Sequence, residues 1–232
     1  MDMPKELNRM ITDGLSDYLF TAGMVANRNL NQTGTEQANI YFVGNLLTDA
    51  LRYNYRRFLR PREMDEWQWE DKKYVLLTLN RHALLEDSGK LKSLFHTLLV
   101  KTGDMPVIAP VHEYVKDRLK DLGISSPTLH LLPPQPYLTF GYWVSHAAVI
   151  VTDSGNIAEE ATFLGIPCMT LSYYAEHPET VTQGTNCLVG ESPEELAAAF
   201  DIWRNGEWKN GSLPERWDGR AAERIVQILL EL

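Results

Sequence analysis

The apolar positions of this chain fall into short blocks separated by segments of helical spacing, and the alternation is most regular from residue 74 onward. Residues 74–79, 107–111, 129–132, 149–152 and 168–171 are apolar runs of strand length. Between them, residues 91–100, 113–122, 137–147 and 157–164 carry apolar side chains three and four apart, which marks one face of a helix. The runs lack a clean polar–apolar alternation, as parallel strands covered on both faces do. Strands separated by helices of this length imply right-handed βαβ crossovers. The predicted fold is therefore α/β, a doubly wound, mostly parallel Rossmann-like sheet flanked by helices. The run at 168–171 closes the predicted sheet, and helices are expected at 193–203 and 220–230.

The earlier residues read differently. Residues 40–43 are β-rich, Leu46, Leu47, Ala50 and Leu51 recur at helical spacing, and the polar, Pro- and Trp-bearing stretch 60–71 reads as a loop. Residues 1–36 offer two helical segments around a short apolar run at 18–21, too little to bury a core. They are expected to be a piece of something else docked on the sheet domain, which divides the chain into 1–36 and 37–232.

Composition narrows the function. The chain has 22 Lys and Arg against 31 Asp and Glu, a net charge of −9, which argues against a general nucleic-acid binder but allows one local anion site. No apolar run approaches the ~18–20 residues that span a bilayer. No basic segment with an apolar core opens the chain, so a cytoplasmic location without membrane attachment is expected. Cys168 and Cys187 form neither a metal spacing nor a disulfide framework, and His82, His96, His130 and His146 complete no ligand set, so no metal or cofactor is expected.

In a doubly wound sheet, ligands bind outside the carboxyl ends of the strands, where helix N-termini present free amides and positive dipole ends. The best such turn runs from Val149 to Ala161. There Asp153 or Ser154 can cap a helix, and Gly155 and Asn156 suit close backbone approach. The Ser154 hydroxyl with the Gly155 and Asn156 amides outlines a phosphate cradle, and equally an ordinary capped turn. Glu159 and Glu160 read as a solvated, dipole-favouring pair, or one of them as an acceptor for ribose hydroxyls. His112 and Arg81 follow other strand ends and can reach an anion there. Tyr173, Glu176 and His177 border the same crevice, and Phe140 and Tyr142 suit either core packing or stacking on a base.

Several runs together resemble the non-hydrolysing UDP-N-acetylglucosamine 2-epimerases. They are TDSGNIAEEATFLGIPCMTL at 152–171, AEHPETV at 175–181, GTNCLVG at 184–190, PVH at 110–112, LPPQPYLTF at 132–140, VGN at 43–45 with Asp49 and Ala50, and MPKELNR at 3–9. The resemblance implies a GT-B architecture, two Rossmann-like halves with the nucleotide sugar between them. It also implies conversion of UDP-GlcNAc to UDP-ManNAc by elimination and re-addition of UDP. The chain is expected to be the C-terminal, UDP-binding half with a remnant of the N-terminal half. By the resemblance His112, Ser154, Gly155 and Asn156 hold the diphosphate, Glu160 the ribose and Phe140 the uracil, while Arg9 matches the active-site arginine.

The departures bear on catalysis. Lys5 stands at a catalytic glutamate, Asn80 at the active-site histidine and Ala83 at a glutamate tied to regulation. Asn156 replaces a glycine and His177 an arginine. The resemblance thus implies UDP or UDP-N-acetylhexosamine as ligand, with catalysis by this chain alone not expected. An N-terminal-half polypeptide or a homo-oligomer is the expected partner. The other readings are a non-catalytic interaction protein that kept the fold, or a glycosyltransferase-like half.

Overall fold

The computed structural model describes residues 4–232, with side chains from Leu7 onward, so Met3 and the Lys5 side chain lie outside the described residues. Two compact units result, one of residues up to Tyr53 with Pro214–Leu232, the other Asn54–Leu213.

The first unit begins with α1 (Pro4–Leu15), β1 (Leu19–Thr21), α2 (Met24–Gln32), β2 (Ile40–Phe42) and α3 (Leu46–Asn54). β1 and β2 pair in parallel, Leu19 opposite Ile40, across the boundary expected at residue 36. That boundary therefore falls inside a compact unit, because a βαβ connection joins its two sides. The chain returns to this unit at its end. Trp217 is buried and its indole donates to the Ala22 carbonyl at 2.9 Å. Asp49 accepts the Ala221 and Ala222 amides at 3.0 and 2.7 Å, and so caps the last helix of the chain. Gly44 has φ +98°, and a Cβ there would overlap the Arg216 carbonyl. The VGN motif and Asp49 thus have local structural uses.

The second unit is built on α4 (Arg62–Glu66), β3 (Val75–Thr78), α5 (His82–Glu86), α6 (Ser88–Thr102), β4 (Val107–Pro110), α7 (Glu113–Asp121) and β5 (Leu129–Leu132). It continues through α8 (Tyr137–Ser145), β6 (Val149–Thr152), α9 (Gly155–Leu164), β7 (Cys168–Thr170), α10 (Glu179–Thr182), β8 (Asn186–Leu188) and α11 (Pro193–Arg204). The last helix of the chain, α12 (Ala221–Glu231), belongs to the first unit. The strands form one sheet in the order β5-β4-β3-β6-β7-β8, all parallel. Neighbouring residues of one strand enter opposite cores, with Val75 and Leu77 on one face and Leu76 on the other. Helices α6, α7 and α11 cover the first face through Leu94, Leu119 and Phe200. Helices α8 and α9 cover the second through Trp143 and Ala161. Burial of both faces explains the unbroken apolar strands, since each fully buried Leu or Val contributes about 1.5–3 kcal/mol.

The expected series stopped one strand short. β8 is the edge strand beyond β7, and Asn186 sits in its buried register, accepting from Thr170 Oγ1 at 2.6 Å and donating to Thr180 Oγ1 at 3.3 Å. The strand's apolar run at 187–189 is shorter than those of the other strands and follows the buried polar Asn186. The stretch 60–71 contains the short helix α4, whose Met64 is fully buried. Among the described residues no helix is long and apolar enough to cross a membrane.

Candidate functional site

The sheet order reverses between β3 and β6, the point at which a doubly wound sheet forms its ligand crevice. The two strand ends are tied together there. The Thr78 and Thr152 hydroxyls lie 2.6 Å apart, and Asp153 Oδ2 accepts the Asn80 and Arg81 amides, each at 2.6 Å. Burial pushes the Asp153 carboxyl above its ordinary range, and the two amides oppose that shift. Asp153 is thus a brace between loops and not a helix cap.

Ser154 takes the N-cap position of α9 with φ −104° and ψ 127°, yet its side chain makes no capping hydrogen bond. The first amides of the helix beginning at Gly155 are therefore not satisfied by the N-cap side chain. A small cavity of about 40 Å³ opens beside Gly155, lined also by Arg81, Asp153, Tyr174, Glu176 and His177. A Cβ on Gly155 would stand 3.2 Å from a Glu176 carboxylate oxygen, so that carboxylate already lies against the start of the helix.

Glu159 and Glu160 are not the solvated pair their sequence suggests, since both are buried, at 4% and 6% exposure. α9 packs against α8 and β7, which turns these two positions inward. Glu159 lies 3.7 Å from His177 Nε2. Burial, with a smaller contribution from the Glu159 charge, pushes the Glu160 carboxyl up to about 7.

Of the residues expected at the site, Arg81, Gly155 and His177 line the cavity, with Ser154 and Asn156 flanking Gly155. Arg81 is already engaged, its guanidinium 3.6 Å from Glu191, which also takes Lys90 at 2.7 Å. His112 stands at the N-cap of α7, beside β3 on the same sheet edge, and its ring stacks on Tyr114. Phe140 is half-buried on α8 against the second core, and its neighbour Tyr137 titrates higher through burial and the charge of Glu160. Tyr142 belongs to the core, with its hydroxyl donating to Asp71 at 2.9 Å. Arg9 is exposed on α1 of the first unit, and Asn80 is held by Tyr114. Tyr114, Glu191 and the Glu159–His177 contact were not legible in the sequence, because each joins segments far apart in the chain.

Residues 1–230 match the family described as UDP-N-acetylglucosamine 2-epimerase. The chain belongs to that family. It is 35% identical to the UDP-N-acetylglucosamine 2-epimerase of Methanocaldococcus jannaschii over 98% of its own length and 64% of that protein. The crystal structure of that archaeal enzyme with UDP-GlcNAc and UDP superposes with a TM-score of 0.83 at 34% identity, covering 100% of this chain and 66% of the other. The UDP-2,3-diacetamido-2,3-dideoxy-D-glucuronate 2-epimerase of Pseudomonas aeruginosa is 30% identical over 100% of this chain and 65% of its own length. The chain thus spans about two thirds of the length of these 2-epimerases, and the fold it shares with them is the α/β half of a GT-B architecture. Among the described residues no group of three or more His, Cys, Asp or Glu is placed to hold a metal ion.

Proposed function

We propose that the crevice binds the UDP portion of a UDP-N-acetylhexosamine. The observation that carries this reading is the start of α9, where a helix lies open to a cavity without a capping side chain. A diphosphate placed there accepts from the Gly155 and Asn156 amides and the Ser154 hydroxyl, with His112 as a further donor. Glu160 is the ribose acceptor. Its carboxylate is buried at 6% exposure, and two sugar hydroxyls would donate to it. Phe140, half-buried on α8, would lie along the uracil. Arg81 and His177 line the cavity, each beside a carboxylate, Glu191 at 3.6 Å and Glu159 at 3.7 Å, that competes with an anionic ligand.

The family reaction removes a proton from C2 of the hexose and expels UDP from C1, then returns UDP to C1 and delivers a proton to the opposite face of C2. The α9 cradle is suited to half of this, since fixed amides stabilise the charge that grows on departing UDP. The other half needs positioned acids and bases, each worth about 10²–10⁴-fold. This chain carries Lys5 and Asn80 at two such positions and keeps Arg9. Our reading is a nucleotide-sugar site that does not epimerise by itself and is completed by a further polypeptide segment or a second copy. Calorimetric titration with UDP and UDP-GlcNAc tests the site, with binding of both expected. Exchange of the C2 hydrogen in heavy water tests the chemistry. Deuterium entering C2 with this chain alone would overturn the inactive reading, and absence of nucleotide binding would overturn the site.

A further inference from the structure

Tyr114 lies 41% exposed on the first turn of α7 and takes no part in the core, yet it is held from three directions. Its ring is parallel to that of His112, 5.7 Å away and inclined by 10°. It is also parallel to that of His82, 5.4 Å away and inclined by 6°. Its hydroxyl donates to the side-chain oxygen of Asn80. The backbone amide of that same Asn80 donates to Asp153 at the opening of the β6–α9 turn.

One side chain therefore links the loops that follow β3 and β4 and, through Asn80, the loop that follows β6. His112 needs such a fixture. It occupies the N-cap position of α7 with extended backbone, φ −68° and ψ 155°, but makes no capping hydrogen bond that would set its ring. An exposed imidazole without a cap samples several rotamers, and an offset aromatic stack selects one.

We propose that Tyr114 is a positioning residue of the nucleotide site, orienting the His112 imidazole toward the diphosphate by stacking on it. The hydrogen bond to Asn80 holds the neighbouring loop so that Arg81 keeps its place at the cavity. This inference rests on the reading of the crevice as a diphosphate site. It assigns Tyr114 no contact with ligand and no proton transfer.

The test uses the full chain, with UDP as the probe and three proteins: wild type, Tyr114→Leu and Tyr114→Phe. Because Tyr114 is exposed, all three should melt within a few degrees of one another. Tyr114→Leu should weaken UDP binding about 5-fold, and Tyr114→Phe, which keeps the stack, should recover most of that loss. The His112 ring protons provide a second readout. In ligand-free protein, the Tyr114 ring current should displace them in wild type and Tyr114→Phe, and they should return to ordinary positions in Tyr114→Leu. Equal UDP affinity in wild type and Tyr114→Leu would overturn the inference, as would a Tyr114→Phe variant as weak as Tyr114→Leu. A wild type that fails to bind UDP while its His112 protons are displaced would instead sink the diphosphate site itself, and the positioning role with it.

Discussion

Two helices of the same unit begin with a serine in almost the same backbone conformation and use it in opposite ways. At α11, Ser192 has φ −102° and ψ 120°, and its hydroxyl accepts the Glu195 amide at 3.2 Å. Proline and two glutamates follow, so the helix start is closed by its own residues. At α9, Ser154 has φ −104° and ψ 127°, its hydroxyl caps nothing, and no acidic residue lies in the first turn. The carboxylates come later, at Glu159 and Glu160, and turn into the protein. Backbone geometry alone therefore does not make a binding site. What distinguishes α9 is that its N-cap side chain leaves its first amides uncapped at the point where the sheet order reverses.

The strongest way to break this contrast is to fill the space before α9. Ser154→Trp should abolish UDP binding in calorimetry while thermal melting stays cooperative, and unchanged affinity would remove the cradle. Next comes Glu160. Its folded carboxyl titrates near 7 against 4.5 for the free group, so folding favours its protonated form. The resulting penalty is absent below about pH 4.5, grows up to pH 7 and is constant above, where it is worth roughly 3 kcal/mol. Glu160→Gln should accordingly stabilise the ligand-free protein to urea at pH 8 and change it little at pH 4.5. The same variant should flatten the pH dependence of UDP affinity, which in wild type rises through pH 7 as the carboxylate forms. Equal stability gains at both pH values would contradict the burial argument. Ser154→Ala is expected to weaken UDP roughly tenfold, the loss of one hydrogen bond to a charged group, with stability unchanged. Ser192→Ala should give the mirror image, a loss of about 1 kcal/mol in stability with UDP affinity untouched. If the two alanine variants behave alike, the helix starts do not differ in use.

The sheet and the α9 turn were legible because their signals are local. Apolar runs such as 149–152 announce strands buried on both faces, and the residues of the turn follow directly in the chain. β8 was hidden because its apolar run at 187–189 is short and Asn186 before it fills a buried position through hydrogen bonds. Glu159 and Glu160 misled for a related reason. A charged pair near a helix start reads as solvated until packing against α8 and the approach of His177, from a distant turn, are known. α12 and Trp217 return to residues near the beginning of the chain, a contact no local pattern announces.

The amide resonances of Gly155 and Asn156 during a UDP titration report on the cradle itself. Both should move far downfield and saturate together with calorimetric binding, while the amide of Glu195 at the start of α11 stays still. Saturable binding of UDP that leaves the Gly155 and Asn156 amides in place would contradict the account.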